Sequence, residues 1–250
     1  MESKKSKLFI ILGGIFIANA LLAELIGGKI FSLEKSLGLL PANIVLFGDQ
    51  YSFNLTAGVL LWPVVFILTD IINEYFGKKG VRFLSYFAVG LISYAFLMIY
   101  LAIGLKPADF YINSQLASGI PNMDTAFAKV FGQGLWIIAG SIVAFLVGQI
   151  ADVTVFQCIK KKTGEGKLWL RATGSTLVSQ LIDSFIVLFI AFHLSGIMTL
   201  KMVIAIGIVN YIYKFLVAIL LTPLLYVIHN WIDNFLGKDL AQNMIAEAKN

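Results

Sequence analysis

Charged residues are scarce in this 250-residue chain, and this scarcity indicates whether the protein is soluble or embedded in a membrane. Asp, Glu, Lys and Arg together make up 13% of the sequence, whereas hydrophobic residues make up 59%. A typical soluble domain has about 25% charged and roughly 45–50% apolar residues. The composition therefore predicts an integral membrane protein that forms a single membrane domain over residues 1–250, with no room for a sizeable soluble domain.

Cysteine is nearly absent, and so are the sequence motifs of common enzymes. The single cysteine, Cys158, excludes an intrachain disulfide and a cysteine-rich metal site. The sequence contains no His-Glu-x-x-His pattern, no Gly-rich phosphate loop before a helix and no Gly-x-Ser-x-Gly turn. We therefore expect no metal, no cofactor and no enzymatic activity of these kinds.

Long apolar runs recur along almost the whole chain. Six stretches reach the roughly 20 apolar residues that cross a hydrocarbon core. They cover approximately residues 8–28, 55–76, 83–105, 134–158, 173–197 and 201–229. The sequence thus predicts an all-α bundle of six transmembrane helices.

Basic residues cluster in alternate connections, and this pattern predicts the orientation. Lys and Arg gather near the N-terminus, around residues 78–82 and around residues 160–171, and the C-terminal tail adds Lys238 and Lys249. Because basic loops remain on the cytoplasmic side of a membrane, we predict that both termini are cytoplasmic. The same rule accounts for the net charge of +5 without any directly bound nucleic acid.

Two further patterns concern the loops and the helix contacts. In the predicted loop over residues 29–54, the stretch "NIVLFGDQYSFNL" predicts a short hairpin that could close as a lid. Small residues recur every four positions at Gly140, Ala144 and Gly148, and such a row lets a neighbouring helix approach closely. That row indicates packing within the bundle and leaves a homodimer open as the alternative.

Polar side chains inside the predicted spans are the main functional signal. A charge near the bilayer centre costs at least about 2.5–3.5 kcal/mol, so it persists mainly where it faces a cavity, a partner or a substrate. In the second span, Asp70, Asn73 and Glu74 are spaced three and four residues apart and share one helix face. Glu74 is the shallowest of the three, and solvation at the membrane interface is the alternative for it.

Gln followed three residues later by Asp occurs twice, in "FLVGQIADVTVF" and in "TLVSQLIDSFIVLF". The pairs are Gln149 with Asp152 and Gln180 with Asp183, and each pair shares a helix face. Asp183 lies roughly 18 Å along its helix from Arg171, near the midplane. So short a side chain cannot reach the interface, and Asp183 therefore needs a partner.

The last span offers that partner. Asn210 and Lys214 are four residues apart on one face, and Tyr211 lies beside them. Lys214 either neutralises Asp183 or Asp152 in a structural ion pair, or lines a central polar site together with them. Tyr211 or Phe185 could stack on an aromatic ligand, although aromatic residues in a membrane bundle usually face lipid or the core. The first span adds Asn19 and Glu24, which could complete the site from the remaining side.

The combination of Gln, Asp and Lys favours recognition of a polar organic ligand. A carboxylate can accept two N–H bonds from the edge of a guanine-type base, while an amide reads a carbonyl or a ring nitrogen. A selective ion channel would instead need symmetric rings of carbonyls or like charges. An intramembrane aspartyl enzyme is the rival from another class, but each Asp is accompanied by Gln, which suits ligand recognition better than water activation.

Four stretches, in order along the chain, closely resemble the queuosine precursor transporter family, also called vitamin uptake transporters. They are "LTDIINEYFGKK", "GQIADVTVF", "STLVSQLIDSFIVLFIAF" and "VNYIYKFLVAILLTPLLY", and the likeness extends from about Leu55 to Tyr226. Ser184 stands where we would expect Thr, a change that keeps the hydroxyl. The family consists of six-helix proteins of the bacterial inner membrane, so the resemblance implies that location for this chain.

The resemblance also implies a cargo: 7-deazaguanine bases such as 7-cyano-7-deazaguanine and 7-aminomethyl-7-deazaguanine, or queuine, imported for salvage into the tRNA nucleoside queuosine. Energy coupling stays open between a proton-linked carrier and a substrate-binding subunit that docks on an ATP-driven module. The predicted substrate-binding residues are Asp70, Asn73, Glu74, Gln149, Asp152, Gln180, Asp183, Asn210, Tyr211 and Lys214.

Overall fold

The computed structural model describes residues 2–132, 134–163 and 167–248. Within these ranges, five helices are long and apolar enough to cross a membrane. They are α1 (Glu2–Ile26), α3 (Trp62–Ile103), α6 (Leu135–Thr163), α7 (Leu168–Leu188) and α8 (Leu200–Leu236). The predicted class of all-α membrane protein is confirmed, and the six predicted spans fall on these five helices.

Helix α3 contains two of the predicted spans, 55–76 and 83–105. At about 1.5 Å per residue its 42 residues would measure about 63 Å, twice the thickness of a hydrocarbon core. The helix is interrupted at Gly77, whose backbone angles (φ 67°, ψ −173°) are not helical.

Contacts with Gln149 show that the chain reverses direction at Gly77. The Thr69 hydroxyl donates a hydrogen bond to the Gln149 side chain (3.1 Å), and Ser85 lines a small cavity with the same Gln149. In one straight helix, Thr69 and Ser85 would be about 24 Å apart. Residues 62–76 and 78–103 are therefore two limbs that lie side by side.

The conformation of Gly77 gives a testable stability prediction. Its backbone occupies a region that is almost exclusive to glycine, and a Cβ atom would lie 2.9 Å from the Ala248 carbonyl oxygen. We expect Gly77→Ala to lower the free energy of unfolding by about 1–3 kcal/mol, measured by unfolding in detergent. Gly90→Ala is the matched control, because Gly90 is helical with open space around it. Equal stability of the two variants would contradict the break described for α3.

The two ends of the described chain meet at one end of the bundle. Lys4 Nζ donates to the Phe235 carbonyl (2.9 Å), and Lys5 pairs with Glu247 (2.9 Å). The last helix, α9 (Lys238–Glu247), packs against α3. Lys249, counted above among the basic residues of the tail, lies outside the described residues. The shared end agrees with termini on one side of the membrane, and the cytoplasmic side stays a prediction.

The row of small residues in α6 faces α7 and the π-helical turn at Phe189–His193 that follows it. A Cβ atom at Gly140 would lie 3.1 Å from the Ala191 backbone nitrogen, one at Gly148 would lie 3.6 Å from Asp183 Cβ, and Ala144 is fully buried. Packing within the bundle is therefore confirmed for this row, and the homodimer stays a prediction.

Residues 30–56 form a small unit of four short strands between α1 and α3. Strand β1 (Ile30–Ser32) pairs antiparallel with β4 (Asn54–Thr56), and β2 (Ile44–Leu46) pairs antiparallel with β3 (Asp49–Tyr51). The β2–β3 hairpin confirms the predicted one, whereas its role as a lid stays a prediction. The remaining elements are α2 (Leu33–Ser36), α4 (Asp109–Ile112), α5 (Met123–Phe131), 3₁₀ helices at Ala57–Leu60 and Leu116–Ser118, and a π-helical turn at Phe189–His193.

Glu34 in α2 holds this unit together. Its carboxylate accepts hydrogen bonds from the backbone N–H groups of Phe53 (2.8 Å) and Ala42 (3.3 Å). Burial acts to raise the pKa of Glu34, but these hydrogen bonds outweigh it and hold the pKa below its usual value.

Candidate functional site

A cavity with an opening to solvent lies between the first limb of α3 and helices α7 and α8, and its empty space together with that opening is about 530 Å³. Its polar lining consists of Asp70, Thr173, Thr176, Gln180, Lys214 and Thr222. Its apolar lining includes Trp62, Pro63, Phe66, Val217, Leu221 and Leu225.

Asp70 is the carboxylate of this cavity. Its side chain is buried, and it accepts hydrogen bonds from two hydroxyl groups of α7, Ser175 (3.4 Å) and Thr176 (3.3 Å). Among the described residues, no Lys, Arg or His side chain forms an ion pair with Asp70. A ligand that donates N–H groups can therefore use Asp70 as an acceptor without first displacing a cation.

Gln180 and Lys214 also line the cavity. Gln180 is buried, and its Oε1 atom has no hydrogen-bond partner among the residues that the structure describes. Lys214 Nζ lies 2.5 Å from Asp183 Oδ2, which confirms that Asp183 has a basic partner and identifies it. Asp183 itself does not line the cavity, so it pairs with Lys214 from outside the cavity lining.

Gln149 and Asp152 lie outside the cavity lining. Gln149 accepts from Thr69, and Asp152, which is fully buried, accepts from the Ser179 hydroxyl (3.1 Å). Each has one further buried polar atom without a hydrogen-bond partner in the described part of the chain, Gln149 Nε2 and Asp152 Oδ2. This Gln-x-x-Asp pair therefore forms a second polar layer rather than a cavity wall.

Glu74 belongs to a buried ion cluster and not to the cavity. One carboxylate oxygen lies 2.6 Å from Arg171 Nη2 and the other lies 3.1 Å from Lys160 Nζ. All three side chains are only 1% exposed, so the alternative of interfacial solvation for Glu74 is wrong. Its neighbour Asn73 accepts from Gln157 (2.7 Å), again away from the cavity lining.

The predicted residues Asn210 and Tyr211 also lie outside the lining. The Tyr211 ring packs near Phe215, and the Phe185 ring packs against Gly207, which has no side chain to hold it off. The aromatic side chains at the cavity are instead Trp62 and Phe66. Sequence reasoning missed them, although their four-residue spacing with Asp70 places all three on one helix face.

The hydroxyl groups of α7 were also missed. Ser175, Thr176 and Ser179 contact the two carboxylates Asp70 and Asp152, and their spacing places them on the same face as Gln180. In the first span, Glu24 accepts a hydrogen bond from Ser141, and Asn19 bonds to its own helix, so neither lines the cavity.

The donor set of the cavity suits an organic ligand. Across the described ranges, no group of three or more His, Cys, Asp or Glu side chains is placed to hold a metal ion. The cavity lining offers a carboxylate, an amide oxygen without a partner among the described residues, several hydroxyls and two aromatic rings. A flat, polar heterocycle has this combination of a hydrogen-bonding edge and a π-face.

The sequence of this chain is similar to those of a known protein family. A sequence profile described as "Putative vitamin uptake transporter" matches residues 56–228. The chain is 31% identical over 197 residues to the "Probable queuosine precursor transporter" of Bacillus subtilis, covering 77% of this chain and 80% of that protein.

Two further relatives carry similar names. The "Queuosine precursor transporter" of Escherichia coli is 29% identical over 182 residues (72% of each chain), and the "Probable queuosine precursor transporter" of Haemophilus influenzae is 27% identical over 178 residues (69% of this chain, 67% of that one). No solved structure gives a significant match. With a profile match over most of the chain and relatives named as transporters rather than enzymes, this multi-pass membrane protein belongs to the vitamin uptake transporter family.

Proposed function

We propose that this protein imports queuosine precursors of the 7-deazaguanine class across the bacterial inner membrane, and that the cavity lined by Asp70, Gln180 and Lys214 binds the base. The relatives' names support the cargo. The observation that carries the proposal is the cavity itself, which brings together a buried carboxylate, an amide oxygen without a partner among the described residues, and two aromatic side chains.

Asp70 would accept the donor edge of the base. A 7-deazaguanine presents an exocyclic amino group beside a ring N–H, and a carboxylate can accept both. Hydrogen bonds to a charged group contribute about 1.5–3 kcal/mol each. Thr176 already donates to Asp70 Oδ2 (3.3 Å), so the hydroxyl would hold the carboxylate in position for the base.

Gln180 and Lys214 would complete the recognition of the base. A buried acceptor without a donor costs about 1–3 kcal/mol, and a ligand N–H at Gln180 Oε1 would relieve that cost. Lys214 would donate to the ring carbonyl while Asp183 balances its charge. Trp62 and Phe66 would pack against the face of the ring.

The proposed topology is six transmembrane segments in one membrane domain with both termini cytoplasmic. The two limbs of α3 would cross the membrane in opposite directions, so that five helices supply six crossings. Contacts between the two ends of the described chain support this arrangement, because an even number of crossings returns the chain to its starting side. The basic residues near that end support its cytoplasmic location.

The test is equilibrium binding to the purified protein. The ligands are 7-cyano-7-deazaguanine, 7-aminomethyl-7-deazaguanine, queuine and guanine, and the variants are Asp70→Asn and Asp109→Asn. We expect saturable binding of a deazapurine and a loss of affinity of about 10–100-fold in Asp70→Asn. Asp109 is exposed in a connection between helices, so Asp109→Asn controls for the same chemical change. The proposal fails if no deazapurine binds, or if both variants bind like the wild type.

A further inference from the structure

Polar contacts join the antiparallel helices α7 and α8 at three levels in the described part of the chain. The contacts are Asp183 with Lys214 (2.5 Å), Thr173 with Thr222 (3.0 Å between the hydroxyl oxygens) and the backbone N–H of Trp169 with the Tyr226 hydroxyl (3.2 Å). The first is an ion pair, whereas the other two are neutral hydrogen bonds. Lys214, Thr173 and Thr222 line the cavity, so the cavity extends along this seam from the ion pair to the threonine contact.

An apolar groove lies beside the cavity on the same two helices. Thr173 and Thr222 line both spaces, so the threonine contact separates the groove from the cavity. The other lining residues of the groove are Trp169, Leu177, Ile219, Pro223 and Tyr226. Trp169 and Tyr226 are 49% and 42% exposed. Parting the two hydroxyls would therefore join the cavity to a groove that presents two exposed aromatic rings.

The groove is nearer than the cavity to the end of the bundle where both chain ends lie. Lys4 contacts the Phe235 carbonyl in the last turn of α8. Along α8, Tyr226 of the groove lies about 14 Å from Phe235, and Lys214 of the cavity lies about 32 Å from it. In the proposed topology this end is cytoplasmic, so the groove lies on the side where import releases its cargo.

The direct route from the cavity to that end is closed by the ion cluster of Glu74, Lys160 and Arg171. Glu74 follows Asp70 of the cavity lining by one turn, and Arg171 is next to Ala172 of the lining. The three side chains of the cluster are each 1% exposed. Separating them would strand buried charges, whereas opening the threonine contact parts two neutral hydroxyls. The seam between α7 and α8 is therefore the less costly way out.

Helix α8 has a point of weakness beside the threonine contact. Pro223 directly follows Thr222, and proline has no backbone N–H, so the helical hydrogen bond to the Ile219 carbonyl is missing. Sharp bends in helices occur at such positions. A bend there would open the threonine contact and leave the ion pair of Lys214, more than two turns away, in place.

We propose that the base leaves the cavity between Thr173 and Thr222 and is held in transit in the groove, against the rings of Trp169 and Tyr226. This inference rests on the proposed function. The ligand class is the same 7-deazaguanine base, whose flat π-face packs on exposed aromatic rings. The threonine contact is then the inner gate of the transporter, and the groove is a second, weaker site for the base.

A disulfide across the threonine contact tests this route. The variant is Thr173→Cys with Thr222→Cys in a Cys158→Ser background, which removes the native cysteine. Because the two hydroxyl oxygens are 3.0 Å apart, sulfur atoms at these positions come within reach of a disulfide bond. We expect oxidation to lower uptake of labelled 7-cyano- or 7-aminomethyl-7-deazaguanine into liposomes at least about tenfold, and reduction to restore it.

Equilibrium binding to the same protein in detergent separates the gate from the cavity. The cavity has its own opening, so oxidised and reduced protein should bind the deazapurine with similar affinity. The two single-cysteine variants, treated with the same oxidant, are the matched controls, and their uptake should not respond to oxidation.

Removing the aromatic rings of the groove gives a second answer that needs no disulfide. Neither ring lines the cavity, so Trp169→Ala with Tyr226→Ala should lower uptake about 5–20-fold while affinity stays within about twofold. Tyr226→Phe keeps the ring and should retain most of the uptake. Trp231→Ala is the matched control, because Trp231 is an exposed aromatic residue of α8 outside the groove.

Three outcomes would overturn the inference and leave the proposed function standing. The first is undiminished uptake by the cross-linked protein, and the second is wild-type uptake by the variant that lacks both rings. The third is a loss of uptake in Trp231→Ala as large as in that variant. If the wild type binds no deazapurine at all, the proposed function fails and this inference fails with it.

Discussion

Glu74→Gln is expected to lower the free energy of unfolding by about 3–5 kcal/mol, because it breaks two buried ion pairs, that of Glu74 with Lys160 and that of Glu74 with Arg171. Lys160 and Arg171 are each 1% exposed and lie 3.1 and 2.6 Å from the Glu74 oxygens. The cluster connects α3, α6 and α7, so its loss should loosen all three helices. The measurement is reversible unfolding in detergent, followed by denaturant or temperature.

Glu247→Gln is the matched control for this prediction. Glu247 pairs with Lys5 at 2.9 Å, but the two side chains are 68% and 42% exposed. An exposed pair contributes about 0–1 kcal/mol, so the same substitution there should change stability little. Equal effects of Glu74→Gln and Glu247→Gln would contradict the cluster.

The helical class and two specific contacts could be predicted from the sequence because each has a local or a strong energetic signal. Apolar runs of membrane-spanning length identify helices directly. Asp183 near the midplane must find a partner, and Lys214 was one of few buried cations available, so the pair follows from charge. The β2–β3 hairpin turns at Phe47 and Gly48, which both have positive φ angles, and Gly48 is the local signal because only glycine adopts this conformation without cost.

The rotation of each helix about its axis could not be predicted, and the site residues depend on it. Spacing places Gln149 with Asp152, and Asp70 with Glu74, on shared faces, but it does not say which neighbour each face meets. In the structure, Asp70 faces the cavity while Glu74, one turn further along, meets two cations.

The hydroxyl groups were missed, whereas the break in α3 was expected between the second and third predicted spans, but as a basic loop and not as a turn at one glycine. Ser175, Thr176 and Ser179 cost little to bury in a helix, where they can donate to their own backbone, so nothing in their chemistry marks them as carboxylate partners. At Gly77, basic residues indicated a loop between two spans. The structure instead reverses the chain at a single glycine, which requires a backbone conformation that no local pattern specifies.

Asp183→Asn and Lys214→Met are each expected to lower the free energy of unfolding by about 3–5 kcal/mol, and the double variant by much less. The side chains are 15% and 12% exposed and lie 2.5 Å apart, so either single change leaves one buried charge uncompensated. The surface pair Lys201 and Asp49, at 3.0 Å with exposures of 52% and 58%, is the matched control. There, Lys201→Met and Asp49→Asn should each cost at most about 1 kcal/mol.

Substrate affinity in the double variant separates the two roles that the sequence left open for Lys214. Removing both charges restores a neutral interior, so the protein should fold, yet the donor that Lys214 presents to the cavity is gone. If Lys214 binds the ring carbonyl, deazapurine affinity should fall by about 10–100-fold despite near wild-type stability. If Lys214 only neutralises Asp183, the stable double variant should bind like the wild type. Stability measures the ion pair and affinity measures the contact with substrate, so the same variant tests both roles independently.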